Sequence, residues 1–343
     1  MGKMKTVLVT GSQGFIGSYV CTELLDKGYK VIGVDNYSKY GEVQRAHDAH
    51  DNFNLIRCNV QNLSEYIDEI SDVEYIIAGA AMIGGISYFH KYAYDLLATN
   101  ERILAETFDV AIKLRLHGKL SRVVVLSSSM VFESTNVYPT PETEVAASPP
   151  PLSTYGFQKL ASEFFAKGAW EQYGIPYTII RPFNCVGIGE EESLQDEEYY
   201  VGNHKLLMSH VLPDLIHKAL TLGPNEKLPI LGDGLQVRCY TNGKDIAKGI
   251  VIAMESEKAF NEDFNISTPT PTTVKELASE IWSQLYPEKP LAFEYQEPFM
   301  YDVQKRIPDV SKAEELLGFK TEIGLRESVG EVIKWMKQKL VTQ

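Results

Sequence analysis

The sequence lacks the features that usually mark secreted, membrane-spanning and nucleic-acid-binding proteins. It has only four cysteines in 343 residues and no Cys-x-x-Cys pair, so neither a zinc ribbon nor a disulfide framework is indicated. No run of 18 apolar residues occurs, and no segment is therefore predicted to span a membrane. Acidic residues outnumber basic ones by 46 to 33, and the net charge of −13 argues against nucleic acids and anionic membranes as partners.

The composition is otherwise that of a folded globular chain. Apolar residues make up 44% and charged residues 23% of it, which argues against wholesale disorder. The length allows two or three domains, although many α/β enzymes of this size are built around one main core. Four cysteines without the spacing of a disulfide framework favour a reducing compartment, and we therefore expect a cytoplasmic protein.

Short apolar runs alternate with helical patterns in the first half of the chain. The runs are nearly continuous rather than alternating, as expected for strands that are buried on both faces. Strands that alternate with helices predict an α/β fold with a parallel sheet and right-handed crossovers. The predicted strands span residues 6–10, 30–34, 74–78, 122–127 and 177–181, and two of the predicted helices span 16–27 and 98–114.

The first predicted strand runs into a glycine-rich turn that opens a helix. Gly11, Gly14 and Gly17 have the spacing Gly-x-x-Gly-x-x-Gly, which allows a tight turn and exposes amide groups at a helix N-terminus to a pyrophosphate. Asp35 ends the second predicted strand, 18 residues after Gly17. A carboxylate there can accept hydrogen bonds from the adenosine ribose and repels a 2′-phosphate, so NAD is predicted rather than NADP.

A candidate catalytic set follows further along the chain. Tyr155 and Lys159 have the i, i+4 spacing that puts both side chains on one helical face. A nearby ammonium favours the phenolate and lowers the pKa of the tyrosine. The serines that follow the fourth predicted strand, Ser128 among them, can bond the same substrate oxygen.

With these motifs in this order, the chain resembles the extended short-chain dehydrogenase/reductase family, specifically its NAD-dependent nucleotide-sugar epimerases and dehydratases. The resemblance covers nearly the whole chain and implies a Rossmann-like, doubly wound parallel sheet with a smaller C-terminal α/β substrate domain. It predicts an NAD-binding domain formed by residues 1–186, to which residues 236–262 return. Residues 187–235 and 263–343 are predicted to form the domain that binds the nucleotide sugar. The motifs are TGSQGFIGS, VDN, SSSMVF, STYGFQK, RPFNCVG, LGDGLQVRCYT and PDVSKAEELLGF.

The resemblance also implies a role for individual residues. Tyr155 is the expected catalytic base, Lys159 positions the nicotinamide ribose, and Ser128 contacts the 4-hydroxyl of the sugar. Asn100 is expected to orient the active-site backbone, and Arg306 to replace a diphosphate-binding arginine that aligns with Phe299. The expected cofactor contacts are Gly11, Gln13, Gly14, Phe15, Ile16, Gly17, Asp35, Asn36, Asn59, Val60, Ala80, Asn100, Tyr155, Lys159 and Pro182. The expected substrate contacts are Gly84, Gly85, Ser129, Asn184, His210, Arg238 and Arg306.

The residues after Ser128 favour one reaction of the family. Related 4,6-dehydratases have Asp-Glu there, and related decarboxylases have Glu at the second of these positions. Here Ser129 and Met130 stand instead, and neither can supply that proton chemistry at neutral pH. A 4-epimerase needs no such acid, so the expected reaction is inversion of a UDP-hexose of the glucose, N-acetylglucosamine or glucuronate type through a 4-keto sugar.

Two alternatives stay open. Residues 80–89 resemble the glycine-rich loop of GDP-mannose 3,5-epimerases, which exchange protons with a Cys/Lys pair; Met130 stands at the Cys position, and His210 aligns near the Lys and could act as a base. Gly84 and Gly85 could equally form a turn that only gives backbone clearance. A non-catalytic NAD sensor is the alternative of another class, but it would not require Tyr155 and Lys159 together.

Assembly, metals and surface segments give further expectations. The family resemblance implies a homodimer through the helices at 98–114 and 155–173, and no metal is predicted. The acidic residues 190–200 are expected to form a solvated loop or a lid over the substrate. Three histidines are expected at the surface: His47, His50 and His117. Four apolar residues could form the interface or face the core: Leu104, Phe108, Phe164 and Phe165.

Overall fold

The computed structural model describes residues 4–84, 91–190, 199–201, 204–206, 210–297 and 303–342. The strands are β1 (Thr6–Thr10), β2 (Lys30–Asp35), β3 (Phe53–Arg57), β4 (Val73–Ala78), β5 (Arg122–Leu126), β6 (Tyr177–Pro182), β7 (Cys185–Val186), β8 (Tyr199–Val201), β9 (His204–Leu206), β10 (Leu228–Leu231), β11 (Val237–Arg238), β12 (Thr241–Asn242), β13 (Glu262–Ile266), β14 (Thr272–Thr273) and β15 (Phe293–Gln296). The helices are α1 (Phe15–Asp26), α2 (Ala93–Leu116), α3 (Glu144–Ala147), α4 (Thr154–Tyr173), α5 (Val211–Leu222), α6 (Gly243–Glu255), α7 (Val274–Leu285), α8 (Ser311–Leu317) and α9 (Leu325–Thr342). No helix in these ranges combines the length and the apolar character needed to cross a membrane.

Seven parallel strands form the central sheet, in the order β3-β2-β1-β4-β5-β6-β13. Every residue of β1 and β5 is buried, because helices cover both faces of the sheet. Helices α2 and α4 pack together over one face, and α1 packs with α6 over the other. This arrangement confirms the predicted fold class, a doubly wound α/β sheet of the Rossmann type.

The five predicted strands are all present, with small differences at their ends. Two strands of the sheet were not predicted. Strand β3 lies at an edge and buries only Ile56, so its sequence has little apolar signal. Strand β13 begins with the charged residues Glu262 and Asp263, so its sequence lacks the apolar run that predicts a buried strand. Its last three residues are nevertheless buried.

A third apolar cluster lies in the C-terminal part of the chain. It joins α5, α7 and α9 with the strand pair β10–β15. The predicted domain boundary at residue 262 falls at the start of β13, which pairs with β6 in the central sheet. Phe319, which follows α8, also packs into the core beneath that sheet. Strand β13 and Phe319 are thus the places where the C-terminal part of the chain packs on the central sheet. The division into two domains stays a prediction.

Parallel registration brings the carboxyl ends of the central strands to one edge. Thr10 at the end of β1 lies beside Val34 on β2 and Ala78 on β4. Leu126 at the end of β5 lies beside Ile180 on β6. The segments that follow these strands therefore meet at one edge, which is where open α/β sheets bind their ligands.

Candidate active site

A cavity of about 880 Å³ opens along this edge of the sheet. Its lining combines the glycine-rich turn, the segments after β2, β4, β5 and β6, and parts of α5 and β10. All the expected site residues that the structure describes line this cavity, apart from Asn100. Three expectations fall wholly or partly outside the described residues: Gly85 with the rest of the 80–89 loop after it, residues 191–198 of the acidic segment 190–200, and Phe299.

The glycine-rich turn leaves no room for side chains. Gly11 has a φ of +76°, and a Cβ atom there would stand 2.9 Å from the Cα atom of Ala80. A Cβ atom on Gly17 would stand 2.0 Å from the carbonyl oxygen of Gly11. Gly14 precedes α1 without any side-chain cap, so the first amides of this helix are left for a ligand at the cavity. This backbone cradle fits the diphosphate of a dinucleotide.

Asp35 stands beside this cradle at the end of β2. One carboxylate oxygen accepts a hydrogen bond from the amide of Gln13 at 3.0 Å, and the other accepts one from the amide of Tyr37 at 2.8 Å. Burial raises the pKa of this carboxyl group, and the two amide donors oppose the rise. The cavity exposes both Asp35 and Asn36, so acceptors for ribose hydroxyls lie next to the diphosphate cradle.

Two residues near the cradle were not predicted to belong to the site. Arg45 donates hydrogen bonds to the carbonyl of Gln13 at 3.0 and 2.8 Å and to the carbonyl of Gly189 at 2.8 Å, which joins the turn to the segment after β7. His47 is buried, so the prediction of a surface position was wrong. It packs edge-on against Phe53 with ring centroids 4.5 Å apart, and desolvation lowers its pKa to about 4. Contacts between segments so far apart in sequence leave no local pattern.

The predicted catalytic side chains come together at the start of α4. Ser153 caps this helix by accepting a hydrogen bond from the amide of Gly156 at 3.0 Å, and Glu133 accepts one from the Ser153 hydroxyl at 2.8 Å. This start turns Tyr155 inward, where it is buried and hydrogen-bonded to Ser128. Burial raises the pKa of Tyr155, whereas the bond to Ser128 lowers it.

Lys159 lies one turn further along α4, beneath Tyr155. Its ammonium donates a hydrogen bond to the carbonyl of Leu126 at 2.8 Å and stands 6.0 Å from the centre of the Tyr155 ring. Desolvation lowers the pKa of Lys159 to about 8. The cation is therefore held close to the phenol, as a group that stabilises a phenolate must be.

Asn100 acts on the site through the backbone. It is buried on α2 and bonds both main-chain groups of Met82, accepting from the amide at 2.6 Å and donating to the carbonyl at 3.0 Å. Asn100 does not itself line the cavity, so its place fits the expected orientation of the backbone rather than a direct cofactor contact. The segment that follows β4, including Ala80 and Gly84, is thereby fixed along the cavity wall.

Cationic and amide groups also line the cavity. Arg238 and Arg306 both line it, and both lower the pKa of Tyr138, against the effect of burial, which raises it. Arg306 also lowers the pKa of Tyr155, so positive charge lies close to the predicted catalytic base. The side-chain nitrogen of Asn184 is buried at this wall without a protein partner among the described residues. These donors fit an anionic group such as a diphosphate.

Glu190 and His210 make a further polar contact at the cavity. Glu190 is buried and its carboxylate contacts Nδ1 of His210, whose side chain lines the cavity. The first residue of the predicted acidic loop is therefore packed inside rather than solvated. Among the residues that the structure describes, no group of three or more histidine, cysteine or carboxylate side chains is arranged to hold a metal ion.

The sequence pattern of the NAD dependent epimerase/dehydratase family matches residues 7–267. The chain belongs to this family. A putative UDP-glucose 4-epimerase from Methanocaldococcus jannaschii is 29% identical over 333 residues, covering 96% of this chain and 98% of that protein. A UDP-N-acetyl-alpha-D-glucosaminuronate decarboxylase from Bacillus cytotoxicus is 26% identical over 340 residues, covering 97% and 98%. The crystal structure of UDP-glucose 4-epimerase from Thermotoga maritima, solved with UDP-glucose, superposes with a TM-score of 0.80 at 28% identity, covering 98% and 99%.

This membership confirms the resemblance drawn from the motifs, and the protein is an NAD-dependent enzyme. The residues present fit that cofactor. The cradle around Gly11 and Gly17 excludes side chains where a diphosphate has to approach, and Asp35 stands where a ribose needs an acceptor.

Proposed function

We propose that the protein is an epimerase that inverts carbon 4 of a UDP-hexose, of the glucose, N-acetylglucosamine or glucuronate type. One observation carries the proposal. Ser128, Tyr155 and Lys159 are assembled at one point of the cavity, while the next positions hold Ser129 and Met130, without an acid for dehydration or decarboxylation. The likeness to 4-epimerases from other organisms supports the same reaction.

The proposed mechanism needs few groups from the protein. Bound NAD supplies the reversible exchange of hydride with carbon 4 of the sugar. Tyr155 takes the proton of the 4-hydroxyl, Ser128 bonds the same oxygen, and Lys159 stabilises the phenolate. Arg238 and Arg306 hold the diphosphate while the 4-keto sugar turns over in the cavity. Tyr155 then returns its proton to the oxygen of the inverted sugar.

A second candidate is proton exchange at carbon 3 or 5, with His210 as the base. The contact between Glu190 and Nδ1 of His210 favours it, because it leaves Nε2 as the nitrogen that can take a proton. Protons next to the keto group of the intermediate are acidic enough for such a base.

The test is turnover of UDP-glucose, UDP-N-acetylglucosamine and UDP-glucuronate in deuterated water, followed by proton NMR. We expect a product inverted at carbon 4 that carries no deuterium, because hydride returns directly. Tyr155→Phe should lower turnover by about a thousandfold, since it removes the general base, and should still bind NAD. Tyr173→Phe, on the exposed end of the same helix, is the control and should be fully active.

Two outcomes would contradict the proposal. Near-full turnover by Tyr155→Phe would remove the assigned base. Deuterium at carbon 3 or 5, lost in a His210→Asn variant, would favour the second candidate instead.

We further propose that the enzyme acts as a homodimer in the cytoplasm. Exposed aromatic residues on α4, such as Phe164, support the dimer, and the four cysteines, none of them in a disulfide, suit a reducing compartment.

A further inference from the structure

The cavity has an apolar wall beside the catalytic tyrosine. Met130 and Tyr155 are packed together in a buried cluster, and Met82 and Ile83 pack against it. Met82, Ile83 and Met130, which we call the apolar wall, all line the cavity. Their side chains offer two thioethers and an aliphatic group, which hydrogen-bond weakly or not at all.

The apolar wall is fixed relative to the catalytic serine. The amide of Met130 donates a hydrogen bond to the Ser128 hydroxyl oxygen at 3.2 Å, within the turn that follows β5. The backbone of Met82 is clamped by Asn100 on α2. The main chain of Met82 and of Met130 is therefore held beside the place where the 4-hydroxyl of a sugar would reach Ser128 and Tyr155.

The substituents of the sugar ring determine which chemical group contacts the apolar wall. When the 4-hydroxyl reaches Ser128 and Tyr155, the groups on carbons 3 and 5 are the ones next to the reacting carbon. Carbon 3 carries a hydroxyl in all the candidate sugars. The group on carbon 5 is what varies: a methyl in 6-deoxyhexoses, a hydroxymethyl in hexoses, a carboxylate in hexuronates and hydrogen in pentoses.

A carboxylate against the apolar wall would lose water without gaining a hydrogen bond, which is costly for a charged group. Four lysines line the cavity among the described residues, and each has a contact of its own. Lys159 donates a hydrogen bond to the carbonyl of Leu126, and Lys218 is paired with Asp214. Lys39 and Lys91 lie over the rings of Tyr40 and Tyr92, at 4.9 and 5.2 Å. Arg238 and Arg306 are assigned to the diphosphate. A methyl group, in contrast, would replace water at an apolar surface and gain packing contacts.

We propose that the apolar wall selects nucleotide sugars with a methyl group on carbon 5, the 6-deoxyhexoses, over hexuronates. The inference rests on the proposed function, because Tyr155 and Ser128 are what place carbon 4 against the wall.

The experiment compares four UDP-sugars that differ only at carbon 5: UDP-6-deoxyglucose, UDP-glucose, UDP-glucuronate and UDP-xylose. With the NAD-loaded protein, kcat/KM for UDP-6-deoxyglucose should exceed that for UDP-glucose and for UDP-xylose by about tenfold, and that for UDP-glucuronate by more than about a hundredfold. A kcat/KM for UDP-glucuronate equal to or above that for UDP-6-deoxyglucose would overturn the inference. Loss of that activity in Lys91→Met would then identify the group that binds the carboxylate.

Matched variants test the wall itself. Met130→Gln introduces an amide of similar length, and the preference for UDP-6-deoxyglucose over UDP-glucuronate should fall by about tenfold. Met130→Leu keeps the surface apolar and should keep the preference. Met82→Gln, at a less buried position, repeats the test if Met130→Gln does not fold. An unchanged preference in the folded glutamine variants would overturn the assignment.

Binding separates this inference from the proposed reaction. Calorimetry with NAD-loaded Tyr155→Phe measures the affinity for each sugar without turnover. If UDP-6-deoxyglucose binds best and UDP-glucuronate worst while the wild-type protein converts neither, the reaction is wrong and the selectivity stands. If UDP-glucuronate binds as tightly as UDP-6-deoxyglucose, or if none of the four binds, the selectivity is wrong whatever the reaction.

Discussion

Lys159 carries a charge into a part of the molecule that is largely closed to water. Burial lowers its pKa to about 8, and burial also raises the pKa of the neighbouring Tyr155. Burial therefore disfavours the charged form of each group, and in the proposed reaction the opposite charges of a phenolate and an ammonium would favour each other. Burial of the Lys159 charge is therefore unfavourable for folding, whereas the role proposed for Lys159 in the reaction needs that charge.

We therefore predict that Lys159→Met raises the stability of the fold and lowers the activity. A pKa lowered from 10.5 to about 8 reduces the free energy of unfolding by on the order of 3 kcal/mol at every pH below 8. The reduction becomes smaller as pH rises from 8 to 10.5, because the folded lysine is then neutral and the proton that folding must remove from the unfolded chain is bound less strongly at higher pH. A methionine at position 159 carries no charge and so removes this decrease in the free energy of unfolding. It also leaves the carbonyl of Leu126 without its hydrogen bond, which lowers the free energy of unfolding by about 1 kcal/mol.

Lys159→Met should therefore be more stable than the wild type by about 2 kcal/mol at pH 7, and the difference should vanish near pH 10. Urea denaturation of the NAD-free proteins at both pH values measures this, and turnover at pH 7 should fall by at least about a hundredfold. Lys167→Met, on the same helix at a more exposed position, is the control and should change neither quantity strongly. A variant less stable than the wild type at pH 7 would contradict the argument.

At the scale of elements, a buried ion network joins strands β5, β6 and β13 of the central sheet to helix α4. Arg181 on β6 is fully buried and bonds both carboxylate oxygens of Glu163 on α4, at 2.8 and 2.7 Å. Asp263 on β13 contacts the same guanidinium at 2.7 Å. Ser127, next to Ser128, donates a hydrogen bond to Glu163 at 2.6 Å. The end of β5 is thereby tied to the helix that carries Tyr155.

Removing the charge of Glu163 should destabilise the fold strongly. Glu163→Gln leaves the buried charge of Arg181 with only Asp263, and breaking a buried pair in this way costs about 3 kcal/mol or more. Urea denaturation followed by circular dichroism measures the change. Glu322→Gln is the matched control, because its pair with Lys248 is exposed and should contribute less than about 1 kcal/mol. Equal effects of the two variants would contradict a structural role for the network.

The same elements show what the sequence could and could not predict. Strand β1 and the turn at Gly11 were predicted because apolar β-branched runs and glycine spacing are local signals. Strand β13 was missed because its acidic residues are satisfied by Arg181 and Lys312 from other elements. The apolar wall was missed for a related reason. Met130 was noted in the sequence as a missing acid, and only the fold shows that Met82 packs beside it.

At the scale of the whole molecule, two aromatic side chains of α4 are exposed to solvent. Phe164 is 64% exposed and Phe157, seven residues earlier on the same side of the helix, is 48% exposed. Leu104 and Phe108 on α2 are buried in the core, so of the four apolar residues considered for an interface Phe164 is the exposed one. Phe165 stacks on Phe108 inside the chain. Two exposed aromatic side chains on one side of a helix support the proposal that a second copy covers this surface.

The proposed dimer gives the last prediction. In a two-fold symmetric interface across α4, Phe164 is buried twice, so a charge at this position opposes association twice. The wild type should have twice the 38.5 kDa mass of the chain in sedimentation equilibrium, and Phe164→Glu should raise the dissociation constant by at least about a thousandfold. Leu340→Glu, at an exposed position on α9, is the control and should leave the dimer intact. A wild-type monomer would contradict the dimer, whereas a Phe164→Glu variant that stays dimeric would place the interface elsewhere. Because the catalytic side chains lie on the inner face of α4, loss of the dimer is expected to lower activity only through the stability of that helix.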